Sequence, residues 1–297
     1  LRKIFTSLLI VGAVGAVALG ATQAFFSDTE TSTGNVLSAG AIDLKIDSTA
    51  HYDGLVCTNV AGGGQDPVYQ WELETDQVQT NRTDLLHKPC DSSWELKDLT
   101  LGDKFFNLID LKPGDNGENT ISIHVDSNDA YMCAKIDNMV NYENDVTEPE
   151  SIVDDTSGAA EGELSQEIRF FAWDDNGDNI WDKGEQVLFS NIEGPADDVI
   201  NGVVYPMFTP GNVLKAGEGN TEYVGLYWCY GSLVVNQGDN LLVCDGKSVT
   251  NLTQTDSLSA DISFYVEQAR NNDNFVCPSI NDWPSESPAP SAESAST

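Results

Sequence analysis

The stretch Ala41 to Asp47, AIDLKID, puts Ile42, Leu44 and Ile46 on one side of an extended chain and charged residues on the other. This period of two recurs, and it constrains the fold more than any other feature, because a half-buried strand needs it and a helix cannot use it. Asn119 to Val125 repeats it with Ile121, Ile123 and Val125, and Ala260 to Gln268 with Ile262, Phe264 and Val266 facing inward. Glu167 to Trp173, Gln186 to Phe189 and Tyr223 to Tyr230 are further strand candidates. Lys112-Pro113-Gly114-Asp115, Pro210-Gly211-Asn212 and Gln237-Gly238-Asp239 supply turns between them. No stretch sustains a helical period. The expected fold is all-β: an antiparallel, jelly-roll-like β-sandwich with long loop insertions, following an N-terminal signal helix.

At 297 residues, 40% of them hydrophobic, the chain can bury one substantial core. A single domain from about residue 25 to 280 is expected. Ser48 to Leu101, rich in Gly, Asp, Asn and Thr, reads as an insertion, and Glu143 to Glu167 as an acidic loop with room for a short helix. Residues 281–297 read as a disordered Ser/Pro/Ala tail. At the other end, Arg2 and Lys3, the apolar run Ile4 to Leu19, and Gly20, Ala21 and Ala24 have the three-part layout of a secretory signal peptide over residues 1–24. Cleavage after Ala24 starts the mature chain at Phe25, with membrane contact only through the signal segment before cleavage; an uncleaved N-terminal anchor is the alternative.

Lys and Arg total 14 against 48 Asp and Glu, a formal charge of −34. Nucleic acid is not expected as a partner on this count, because a polyanion binds through clustered Lys and Arg, and no such cluster occurs outside the first three residues. The acidic excess favours divalent cations and makes copies repel until counterions screen them.

Export also decides how the six cysteines are read. An even count in an oxidising compartment implies disulfides, and no CxxC points to zinc or redox chemistry. Fifteen pairings are possible. Cys229 and Cys244 flank YGSLVVNQGDNLLV, which looks like a hairpin or Ω-type excursion, Cys57 and Cys90 bracket the insertion, and Cys133 and Cys277 remain for each other.

The strongest chemical motif is Asp174-Asp-Asn-Gly-Asp-Asn-Ile-Trp-Asp-Lys-Gly-Glu185. Asp174, Asn176, Asp178, Asp182 and Glu185 occupy positions 1, 3, 5, 9 and 12 of a calcium loop, and Ile180 offers its carbonyl at position 7. Asn179 replaces the usual Gly at position 6, where a left-handed backbone is required and Asn tolerates it. Flanking strands make this an EF-hand-like loop inside a β domain, with a structural Ca2+. Catalytic constellations are absent from the sequence. His51, His87 and His124 form no HExxH pair, there is no GxSxG elbow, and Gly62-Gly63-Gly64 lacks the Lys of a phosphate loop. Asn81-Arg-Thr83 and Asn251-Leu-Thr253 fit the N-glycosylation sequon.

Ala21-Thr-Gln-Ala-Phe-Phe-Ser-Asp28, Thr29-Glu-Thr-Ser-Thr-Gly-Asn35 and Leu37-Ser-Ala-Gly40 running into Ile42-Asp-Leu44 resemble the TasA and camelysin family of exported biofilm-matrix proteins with SipW-type signal peptides. Leu108-Ile-Asp-Leu-Lys-Pro-Gly-Asp115 is similar to that family's turn before its second long strand, and Ile262-Ser-Phe-Tyr-Val-Glu-Gln-Ala269 to its closing strand. The resemblance implies a secreted jelly roll in the extracellular matrix or at the cell surface, and since the residues present no catalytic constellation, no enzyme activity is expected. Its partners would be further copies of itself, joined head to tail by exchange of the N-terminal strand, and other matrix or surface components. Phe25 to Leu37 suits that role, offering Thr, Val and Phe for a strand but few apolar anchors. A monomeric surface or adhesion module is the alternative. Camelysin-like metallopeptidase activity is not carried over, because these residues present no recognisable zinc site.

Overall fold

The computed structural model describes residues 30–32, 35–38, 42–62, 66–75, 78–100, 102–126, 128–154, 161–188, 194–236 and 238–284. The signal segment and residues 285–297 lie outside them. Fifteen strands follow in order: β1 (Glu30–Ser32), β2 (Asn35–Ser38), β3 (Leu44–Tyr52), β4 (Leu55–Asn59), β5 (Tyr69–Leu73), β6 (Trp94–Lys97), β7 (Asn116–Val125), β8 (Ala130–Tyr142), β9 (Ile168–Asp175), β10 (Gly194–Pro195), β11 (Val203–Phe208), β12 (Glu222–Tyr230), β13 (Ser232–Asn236), β14 (Leu241–Asp245) and β15 (Ser257–Gln268). Among the described residues the helices are single turns, α1 (Leu164–Glu167), α2 (Ala196–Val199) and four 3-10 turns. Among the described residues no helix is long and apolar enough to cross a membrane.

Two sheets face each other, so the all-β sandwich is as expected. The smaller has the order β1-β2-β15-β8-β11, and the larger β10-β9-β12-β7-β3-β4-β5, with β6 also paired to β3. All ladders are antiparallel except β2 on β15. Alternation places the core as read from the sequence. Ile42, Leu44, Ile46, Ile121, Ile123 and Val125 from the larger sheet meet Met132, Ala134, Phe264 and Val266 from the smaller, and Ile262 packs at the margin. Pro206 in β11 is tolerated because β11 is an edge strand.

The segment from 48 to 101 is continuous with the sandwich. β3 runs on through Tyr52, and β4, β5 and β6 extend the larger sheet. Its loop is tied in by Arg82, which is 1% exposed. That guanidinium donates to Asp115 Oδ2 at 3.0 Å, to Asp84 and to the Tyr52 hydroxyl, and Tyr52 donates to Asp115 at 2.6 Å. A buried charge needs such satisfied partners to be tolerated. Asp115 closes the Lys112-Pro-Gly-Asp turn by accepting from the Lys112 amide at 2.8 Å.

The three expected disulfides are present: Cys57–Cys90, Cys133–Cys277 and Cys229–Cys244. The last ties β14 of the β13–β14 hairpin to β12. Each sheet also has a covered outer face. Phe171, Trp173, Trp181, Tyr227 and Leu233 form one cluster, and Tyr131, Cys133, Tyr265 and Phe275 another. Gly225 is required in β12 because the Trp173 ring lies flat on it, and a Cβ there would stand 2.2 Å from ring atoms. Two expectations change. Residues 186–188 make only an isolated bridge, Val187 to Trp173, where a strand Gln186 to Phe189 was expected, and Phe189 lies outside the described residues. Residues 281–283, expected to open a disordered tail, are part of the fold, since a 3-10 turn spans Ile280–Asp282 and the Trp283 ring packs on Tyr265 at 6.0 Å.

Candidate metal centre

β9 ends at Asp175, and alternation assigns its last residues to opposite faces. Phe171, Trp173 and Asp175 face outward, while Ala172 and Asp174 face the sandwich interior. The chain then turns through residues 176–185 and returns, with the Asp174 amide donating to the Gln186 carbonyl at 2.8 Å and the Leu188 amide to Ala172 at 2.9 Å. Trp181 anchors this loop. It is 4% exposed and meets Phe171 edge-on at 5.1 Å and Trp173 at 6.1 Å.

Carboxylate oxygens of Asp175, Asp178 and Glu185 lie within 4.8 Å of one another. Asp175 accepts from the amides of Gly177 and Asn179 and from Trp173 Nε1, and Glu185 accepts from the amides of Asn176 and Asp182. Asn179 is left-handed at φ 61°, as its position in the motif requires. Burial pushes the Glu185 carboxyl up, and a cation in the loop would offset that cost.

Of the six sequence-derived ligands, the structure brings Asp178 and Glu185 together. Asn176 and Ile180 are exposed on the loop, and Asp182 accepts from Asn240 Nδ2 of the β13–β14 turn at 2.9 Å. Asp174 stands apart. It lines a gap of about 10 Å3 with Leu188, Phe208 and Val224 on the inner side of the sheet. Asp175 takes its place in the cluster, a residue the position count passed over. The signal was available in the alternation, because Asp175 is two residues from the outward Trp173. The donor set is all oxygen and rich in carboxylate, which fits a hard divalent cation such as Ca2+.

Next to the loop, Asn179 Nδ2 donates to Glu118 Oε1 at 2.7 Å and approaches His51 Nδ1 at 3.2 Å. His51 Nε2 lies 3.7 Å from Glu74. Burial lowers the His51 pKa to about 4, while burial, then the charges of Glu74 and Asp175, raise Glu118 to about 8. The other histidines are elsewhere: His87 pairs with Glu72, and His124 lies between Ser122 and Thr221.

A second feature is the edge of the smaller sheet. β2 pairs with β15 in parallel over four residues, Asn35 opposite Ile262 to Ser38 opposite Tyr265, and β1 folds back on β2. Among the described residues, no strand lies beside the rest of that edge, residues 257–261 and 266–268. In comparisons with known proteins, the chain matches no family model and no curated protein.

Proposed function

We propose that this chain is a secreted structural subunit of extracellular fibres or matrix, in which the N-terminal strand of one copy completes the smaller sheet of the next. The β15 edge carries the reading. It is twelve residues long, and among the described residues a strand lies beside it on that side only over a four-residue parallel ladder. Such an edge accepts any compatible strand, and a parallel ladder this short is a weak hold. An identical strand arriving from another copy makes the same pairs, and a head-to-tail contact that does not close propagates as a filament. Three disulfides fit an oxidising environment. Structural calcium at the 174–185 loop would pin the loop to the larger sheet and neutralise part of the −34 charge that keeps copies apart.

Negative-stain microscopy of the secreted protein, over a range of salt and calcium, tests the reading. Regular fibres support it, and a strictly monomeric population under every condition overturns it. The loop assignment has its own test: Asp175→Asn with Asp178→Asn should remove one equivalent of bound calcium, and undiminished binding removes the assignment.

The same pairing of β2 within its own chain favours a second reading, a monomeric cell-surface or adhesion module whose own β1–β2 hairpin caps the edge of its sheet. Crosslinking on intact cells separates the two, because only fibres give ladders of a single subunit.

A further inference from the structure

Four carboxylates from four separate segments converge beside the ends of β8 and β15. Glu143 follows β8, Glu150 opens the 3-10 turn Glu150–Ile152, Glu163 precedes α1, and Asp256 precedes β15. Oxygens of Glu143, Glu163 and Asp256 lie within 4.8 Å of one another. Glu143 is 9% exposed and Glu150 0%. Both oxygens of Glu143, one each of Glu150, Glu163 and Asp256, and the Thr147 hydroxyl are buried without a hydrogen-bond partner. What bonding exists orients the group without neutralising it. Asp256 Oδ2 accepts from the amides of Glu163 at 2.6 Å and Leu164 at 3.1 Å, and Glu150 Oε2 accepts from the Thr147 amide at 3.4 Å.

The charges that act most strongly on these four groups are all carboxylates. The contrast with Arg82, whose buried charge meets Asp115 and Asp84, is plain. Burying several like charges together is tolerated only if protons or a cation accompany them. The surrounding backbone is held independently. Asn144 Nδ2 donates to the Thr255 carbonyl at 2.7 Å and to Ser257 Oγ at 3.0 Å. Gly162 lets the chain press onto the site, since a Cβ there would stand 2.9 Å from the Tyr142 carbonyl and 3.0 Å from Asp256 Cγ.

We propose that Glu143, Glu150, Glu163 and Asp256 bind one calcium ion, distinct from the 174–185 loop, which clamps the end of β8 to the start of β15. Calcium takes six to eight oxygens at 2.3–2.6 Å, so its ligand atoms lie no more than about 5 Å apart, as those of Glu143, Glu163 and Asp256 do, with the buried Glu150 oxygen beside them. Magnesium retains several waters and demands a tighter octahedron, which a buried, carboxylate-filled site does not supply.

The test uses the full secreted chain, stripped with EDTA and titrated with CaCl2, with bound metal counted after dialysis and thermal unfolding followed in parallel. A loop variant, Asp178→Asn with Glu185→Gln, should still bind one equivalent of calcium, and its Tm should rise by roughly 5–10 °C at calcium a hundredfold above Kd. Glu143→Gln with Glu163→Gln should lose that equivalent, and combining the two pairs should leave none. A folded loop variant that binds no calcium and shows no Tm shift overturns the proposal, leaving protonation as the way the cluster is neutralised. Because that variant leaves the cluster intact, the test stands even if the Glu143 and Glu163 substitutions prevent folding.

Discussion

The two sides of β15 are held in opposite ways. Toward β8 it pairs antiparallel from Ser257 to Gln268, its inner residues Phe264 and Val266 enter the core, and the outer face is closed by Cys133–Cys277. Phe275 stacks there on Tyr131 at 5.0 Å and on Tyr265 at 6.4 Å. Toward β2 there are four parallel residues and nothing covalent. The difference separates what makes the module stable from what it can exchange. Losing β2 costs a short ladder, whereas losing the β8 side costs the fold.

Substitutions on each side should rank accordingly. Removing Cys133–Cys277 as a Ser pair should be the most damaging, because it closes a loop of 144 residues against 15 for Cys229–Cys244. On chain entropy the difference is about 2 kcal/mol within a total of roughly 5 kcal/mol, to be read from denaturant midpoints under non-reducing conditions. Phe264→Ala should cost about 3–5 kcal/mol by opening a cavity between the sheets. Equal costs for the two disulfides, or a mild Phe264→Ala, would show that the β8 side is not the stable one.

A smaller effect belongs to the larger sheet and should leave the contrast at β15 untouched. Glu118 has its pKa raised from 4.5 to about 8 in the fold, so the folded state holds a proton that the unfolded chain releases. The stability tied to that proton is complete below about pH 4.5 and is lost as pH rises through about 8. In calcium-free buffer Glu118→Gln should remove this decline and raise Tm above pH 8 relative to the parent. An unchanged pH profile would contradict the assignment.

How far the sequence reveals this molecule depends on whether its surfaces are half-buried or wholly buried. Ile42, Leu44 and Ile46, or Ile121, Ile123 and Val125, show themselves because the intervening residues meet solvent or only partial cover. β8 does not alternate: Tyr131 and Cys133 are covered by the C-terminal segment, while Ala130, Met132 and Ala134 enter the core. A strand buried on both faces therefore hides from a period-of-two reading, although it is the longest in the structure. The loop at 174–185 was visible as a spacing, but a position count cannot say which of two adjacent aspartates faces the cluster. Glu143, Glu150, Glu163 and Asp256 have no spacing to read, because only the fold brings them together.

The exchangeable edge is tested most directly by a secreted chain lacking residues 25–38, compared with the intact subunit by negative-stain microscopy and thermal unfolding. The truncated protein should lose less than about 1 kcal/mol of stability, form no fibres alone, and stop fibre growth when mixed with intact subunits, since it accepts a strand and donates none. Fibres built from the truncated chain alone would contradict the account.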